Sequence, residues 1–211
     1  MNRVTSILLL ALVTLAERPN VRATADDPPR KTPEAKTPVD PIEQYNEHAL
    51  EGWKVLVNKR LDCDEERELC GKTLKLLGDH LYRISRVVPE ESLAKLREVP
   101  IWAELAHPRH PCMCYHISPD WLRTHDMNPA KAGAVELANA ENFLSWTGDQ
   151  PWMVLHELAH AYHHRVLGHD HGELKACYQH AVESKSYDSV LHVRGEKRRH
   201  YALNNDHEYF A

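Results

Sequence analysis

The residues best equipped for chemistry are His156-Glu157-Leu158-Ala159-His160, an H-E-x-x-H motif. Histidines at i and i+4 of a helix lie on one face about a turn apart, so both imidazoles can reach one metal ion. Glu157 falls about 100° round the axis from His156. From there it takes a proton from a metal-bound water instead of binding the ion itself. The ion lowers the water's pKa, Glu157 accepts the proton, and the same carboxyl can later hand it to a leaving group.

A helix must carry the motif. Asp149 is a good N-cap type, and Pro151 suits the first helical position. Trp152, Leu155, Ala159, Tyr162 and Val166 recur at helical spacing as a core-facing stripe, and Gly168 follows as a C-cap. His163 and His164 lie further up the axis, and are expected at the surface or behind the ligands. The longer pattern H-E-x-x-H-x-x-G-x-x-H is not met, since His163 stands at its glycine and Val166 at its last histidine. A third ligand must come from downstream, where Glu173, Glu183, His200, His207 and Glu208 are candidates. Glu183 lies on a second helical pattern, from Glu173 to about Ser186.

The C-terminal segment reads Tyr201-Ala-Leu-Asn-Asn-Asp-His-Glu208-Tyr-Phe-Ala211. HELAH, then a Tyr, then seven residues later the Glu of Glu-Tyr-Phe-Ala, resembles the catalytic core of the anthrax lethal factor family of zinc metallopeptidases. That family has H-E-F-G-H and, downstream, a Tyr followed seven residues later by Glu-Phe-Phe-Ala-Glu. The stretch from Pro151 to His164, together with Glu183 to Ser189, also resembles exported bacterial metallopeptidases of the same general type. The likeness covers roughly residues 100–211. It implies a zincin-like domain that hydrolyses peptide bonds, with Zn2+ held by His156, His160 and Glu208. Glu157 would be the general base, and Tyr201 would donate a hydrogen bond to the oxyanion of the tetrahedral intermediate. The chain stops at Ala211, where the family's pattern continues with another acidic residue. Only about a turn of helix can follow an N-cap at Asn205 or Asp206, so a domain shortened at its C-terminus is expected. Peptide deformylases offer another comparison, because they combine an upstream Cys ligand, here Cys114, with H-E-x-D-H. This chain has Ala159 at their Asp.

Other elements must position these groups. Trp53, Val55 and Val57 alternate with polar residues as a half-buried strand. Leu69, Leu74, Leu77, Leu81, Ile84 and Val88 mark an amphipathic helix from Asp64 to Val88, stopped by Pro89. A short helix is expected over Ser92 to Glu98, and a strand over Val99 to Leu105 that Pro100 confines to an edge. A Pro- and Cys-rich loop follows from His107 to Ser118, then a helical turn from Pro119 to Thr124 and a weak strand from Ala132 to Leu137. Strands early and helices late give an α+β class: a small N-terminal sheet with helices, and a helical half carrying the site.

Length and composition bound the rest. The chain has 211 residues, 42% of them hydrophobic and 27% charged, enough for one domain with a real core. Its net charge of −5, with no run of Lys or Arg, argues against nucleic acid as a partner, while the resemblance implies a peptide or protein substrate. Met1-Asn2-Arg3, the apolar run Ile7–Ala16 and Ala23-Thr24-Ala25 read as a signal peptide over 1–25. The run is too short for a stable membrane span, so a secreted or periplasmic protein is expected. Residues 26–41 are rich in Pro and read as a flexible linker, leaving 42–211 as the domain. Five Cys (63, 70, 112, 114 and 177) leave at least one thiol unpaired. Cys63 and Cys70 could pair across a short loop, while Cys112 and Cys114 are too close to pair comfortably. The alternative to an enzyme is an exported metal-binding protein without catalysis.

Overall fold

The structure, a computed structural model, describes residues 39–107, 110–168 and 170–211. The expected signal segment and residues 26–38 of the expected linker lie outside the described residues. The last residues of that linker are tied to the domain, because Asp40 accepts a hydrogen bond from Asn58 Nδ2 at 2.9 Å and pairs with Arg60. Its carbonyl accepts another from Asn128 Nδ2 at 2.9 Å. Among the described residues, contacts with the domain reach back to Asp40.

The fold is α+β. β1 (Tyr45–Leu50) and β2 (Trp53–Asn58) form an antiparallel hairpin. Its two turn residues, Glu51 and Gly52, both have positive φ (51° and 90°), the backbone that matches strand twist in a two-residue hairpin. β1 was not legible in the sequence, because Asn46, Glu47 and His48 interrupt any apolar alternation on this edge strand. The long helix α1 (Arg67–Val87) starts later than expected, and Asp64 pairs with Arg67 beside its first turn. The short helix α2 (Glu90–Arg97) follows Pro89.

β3 (Ile101–Ala103) corrects the edge-strand expectation. It lies mid-sheet, between β2 and β5 (Val135–Leu137), parallel to both. Pro100 precedes the strand, so its missing N–H is not needed in the ladder, and its carbonyl still accepts from Val135 N at 3.0 Å. The expected loop over 107–118 contains β4 (Met113–Tyr115), antiparallel to β5 and at the sheet's edge. The strand order is β1-β2-β3-β5-β4. The sheet thus reaches past the first half of the chain and supplies one wall of the site. Helix α3 (Pro119–Thr124) is capped by Ser118 Oγ, which accepts from Trp121 N at 3.2 Å. Helix α4 (Ala140–Trp146) is capped by Asn139.

Side-chain alternation divides the sheet into two faces. Val55, Val57, Ile101, Ala103, Val135 and Leu137 join Leu77, Leu81 and Ile84 of α1, Phe143 of α4, and Val154, Leu158 and Ala161 in one buried core. Each such Val, Leu, Ile or Phe contributes about 1.5–3 kcal/mol by leaving water. The intervening residues Leu56, Trp102, Glu136 and Cys114 stand in register across β2, β3, β5 and β4. Leu56 and Trp102 pack with Tyr45 and Ala134 in a second, smaller cluster. No disulfide forms: Cys63, Cys70, Cys112, Cys114 and Cys177 are all free thiols, against the pairing considered for Cys63 and Cys70. Among the described residues no helix is long and apolar enough to cross a membrane.

Candidate metal centre

The motif lies on α5 (Met153–Tyr162), which runs on into a π-helical turn, His163–Leu167, closed by Gly168 at φ 81°. The helix begins later than expected, with Trp152 at its N-cap and no side-chain cap. Asp149 pairs instead with Arg194. The buried stripe also differs from the expected one. Val154, Leu158 and Ala161 are fully buried, whereas Trp152 and Val166 are 41% and 44% exposed. The helix is rolled by one residue, about 100°. The roll turns His156 and His160 away from the core and leaves Glu157 beside it, only 9% exposed.

α6 (Gly172–Ser184), the two-stranded β6 (Val190–Leu191) and β7 (Lys197–Arg198), a 3-10 turn at Tyr201–Leu203 and α7 (Asp206–Phe210) complete the site. α7 is one turn long, so packing must hold it. The Phe210 ring stacks on Tyr162 at 6.4 Å and meets His163 at 5.3 Å, while Tyr209 meets Tyr178 at 5.9 Å. Asn205 caps the turn, its Oδ1 accepting from Glu208 N at 2.8 Å. Asn205→Ala should remove a cap worth about 0.5–2 kcal/mol. Because that cap fixes the residue it bonds, metal affinity should fall by ~2–30-fold. A zinc titration checks this, and Asn205→Asp, which keeps an acceptor there, should restore the affinity.

Three atoms that could ligate one metal ion converge at this point. His156 Nε2 and His160 Nε2 are 3.2 Å apart, and Glu208 Oε2 lies 3.3 and 3.4 Å from them. Ligands about 2.0–2.1 Å from a tetrahedral ion stand about 3.3–3.4 Å from each other. Glu208 Oε2 is buried and takes no hydrogen bond. A buried carboxylate oxygen aimed at two imidazole nitrogens at that spacing fits a divalent cation. Burial pushes His160 down to about 4, helped by the neighbouring histidines, so its ring is neutral and able to ligate.

Glu157 stands beside these ligands and outside the cluster. Its Oε2 accepts a hydrogen bond from Tyr115 N of β4 at 2.9 Å. Burial pushes its carboxyl up to about 8, and the Glu208 charge adds to this, while the Tyr115 N–H works against it. A general base needs the carboxylate form, which a cation held by the neighbouring histidines would favour. Tyr201, 60% exposed, donates its OH to Glu208 Oε1 at 3.4 Å, and its ring lies 6.2 Å from that of His156. A cleft of about 440 Å³ opens over these groups, walled by Met113, Tyr115, Ile117 and His164.

The other candidates go elsewhere. Glu183 sits on the exposed face of α6, accepting from Gln179 at 2.9 Å. Glu173 is in the exposed first turn of α6, and His200 caps the 3-10 turn through Ala202 N. His207 packs on His163, their Nδ1 atoms 3.2 Å apart. His163 is not a surface residue but 1% exposed beneath α7, and half-buried His164 bonds the Tyr115 hydroxyl at 2.8 Å. Cys114 joins His116 and Glu136 and not the α5 histidines, unlike the deformylase arrangement. Sequence reasoning missed Tyr115. The alternation of Met113 and Tyr115 about Cys114 signals a strand, but three residues between Pro- and His-rich flanks are too few to read. No family model, curated protein or solved structure matches the chain.

Proposed function

We propose that the protein is a zinc-dependent peptidase, in which Glu157 serves as general base and His156, His160 and Glu208 hold the ion. The observation that carries this reading is the near-equilateral spacing of the three ligand atoms, 3.2–3.4 Å, around a buried oxygen that has no other partner. When bound, such an ion supplies a Lewis acid and a water of lowered pKa. The chain's own groups do the rest. Glu157, held by Tyr115 N, takes the proton of the attacking water and delivers it to the departing amine. The Tyr201 hydroxyl, at the rim of the cleft, offers a hydrogen bond to the developing oxyanion. The roll of α5 gives both histidines access to the cleft while the base remains buried. The apolar run at the N-terminus supports export as the setting of this activity.

The direct test is cleavage of an unstructured peptide mixture by the full chain, with and without chelator. Zinc-dependent cleavage, lost on chelation and regained on adding zinc, is expected. Stoichiometric zinc binding with no cleavage of any peptide would favour a metal-binding protein without catalysis. Tyr201→Phe should leave zinc bound, since its contact with Glu208 is long at 3.4 Å, and slow turnover by about 10–100-fold. A largely exposed phenol competes with water for the oxyanion, so its loss falls at or below the range for buried donors. Steady-state kinetics beside a zinc titration separate the two effects.

A further inference from the structure

We propose a second cation site on the opposite face of the sheet, formed by Cys114, His116 and Glu136 and taking a divalent d-block ion of the zinc class. Cys114 and Glu136 are register partners on β4 and β5, and His116 follows Cys114 by two residues, on the same side of the chain. Their ligand atoms lie within 4.8 Å of one another. Cys114 Sγ is 3.5 Å from His116 Nε2, and Glu136 Oε2 is 2.6 Å from the same nitrogen. A tetrahedral ion about 2.3 Å from sulfur and about 2.0–2.1 Å from nitrogen sets an S···N edge of about 3.6 Å, close to that observed. The carboxylate–imidazole contact is a hydrogen bond, so Glu136 Oε2 would withdraw by about 0.7 Å to the corresponding N···O edge. The ring of His110, 6.0 Å from that of His116 and perpendicular to it, is the next donor outward.

Charge balance favours an ion here. Glu104, Glu136 and Lys131 are buried together, at 3%, 0% and 4% exposure. Lys131 Nζ bonds Glu104 Oε1 at 2.6 Å and also contacts Glu136 Oε1. Two carboxylates then face one ammonium; Glu104 also accepts from the Tyr45 hydroxyl at 2.6 Å and lies 3.9 Å from Arg60, itself paired with Asp40, and the His107 and His110 rings stand near the set. An uncompensated buried charge is costly. A divalent ion with the Cys114 thiolate brings a net +1 and balances the set. Binding releases the thiol proton, and the proton on His116 Nε2 must also leave that nitrogen. A proton on His116 would balance the charge equally well, and that is the rival the experiment must exclude.

The test is zinc content and cobalt spectroscopy of the full chain after dialysis against excess metal. Two equivalents per chain are expected, falling to one in Cys114→Ser and to one in the His156→Ala/His160→Ala double variant. Cobalt-loaded protein should show a near-ultraviolet thiolate-to-metal charge-transfer band. That band should survive the double histidine variant and vanish in Cys114→Ser, and in Cys114→Ala should the serine variant fold poorly. The band in the unaltered chain needs no variant. A single equivalent lost with the α5 histidines and no charge-transfer band would overturn the proposal and leave His116 as a protonated partner of Glu136. A single equivalent in the unaltered chain that survives the double histidine variant and is lost in Cys114→Ser would instead count against the peptidase reading, so the two failures are distinguishable.

Discussion

Glu157→Gln is expected to keep its zinc and lose peptide hydrolysis by about 10²–10⁴-fold, the usual contribution of a positioned general base. The amide keeps the size of the carboxyl, and its oxygen can still accept from Tyr115 N, now 2.9 Å from Glu157 Oε2. What it cannot do is take a proton. Glu157 lies outside the set of ligand atoms, so zinc affinity should change little. Replacing a buried ionisable group with a neutral one also removes the cost of burying its charged form. Folding stability should therefore hold, and a urea titration of the variant would show it. The decisive comparison is kcat beside zinc stoichiometry. A fully active, zinc-replete Glu157→Gln would rule out this base, and a variant that loses its zinc would make Glu157 a ligand.

The parts of this molecule that could be read from the chain are those with a period. Leu77, Leu81 and Ile84 announce α1 because three turns of one helix must bury one face, and the strand at Trp53–Asn58 shows in the alternation of its valines. The HELAH motif is legible for the same reason, since spacing along one helix fixes both histidines. Elements that owe their existence to distant partners were not legible. β4 is a strand because β5 offers it an edge, and the alternation within Met113–Tyr115 is too short to announce this. Pro100 looked like an edge marker, yet it stands one residue before a central strand, where its carbonyl is used and its nitrogen is not. The roll of α5 was hidden by Trp152 and Val166, which are apolar but lie on the exposed side of the helix. Large apolar residues often remain partly exposed, so a stripe chosen by size alone can be one residue out of phase. The buried row of Glu104, Lys131 and Glu136 was invisible for a related reason. Charged residues read as surface until a fold gathers them into mutual compensation.

Glu208→Ala is expected to reduce zinc affinity by well over the ~10–100-fold typical of removing a group that only supports a ligand. Glu183→Ala should leave that affinity unchanged. The contrast rests on geometry. Glu208 Oε2 lies 3.3 and 3.4 Å from the two histidine nitrogens and has no hydrogen bond to lose. Glu183 is exposed on α6, where it accepts from Gln179, a turn away. Helix length favoured Glu183, because α6 has 13 residues and α7 only 5. Packing reverses that order. Phe210 on Tyr162, Tyr209 on Tyr178 and the Asn205 cap hold the short turn against α5 and α6. Ion binding would add to this, since a ligand on a marginal element draws ordering energy from the metal. Apo protein should therefore show faster amide exchange over residues 205–211 than zinc-loaded protein, and Glu208→Ala should exchange at the apo rate whether or not zinc is present. In Glu183→Ala the zinc-dependent protection should persist. Zinc affinity unchanged in Glu208→Ala but lost in Glu183→Ala would move the third ligand to α6. It would also leave Tyr201 without the Glu208 contact that helps hold its hydroxyl at the site.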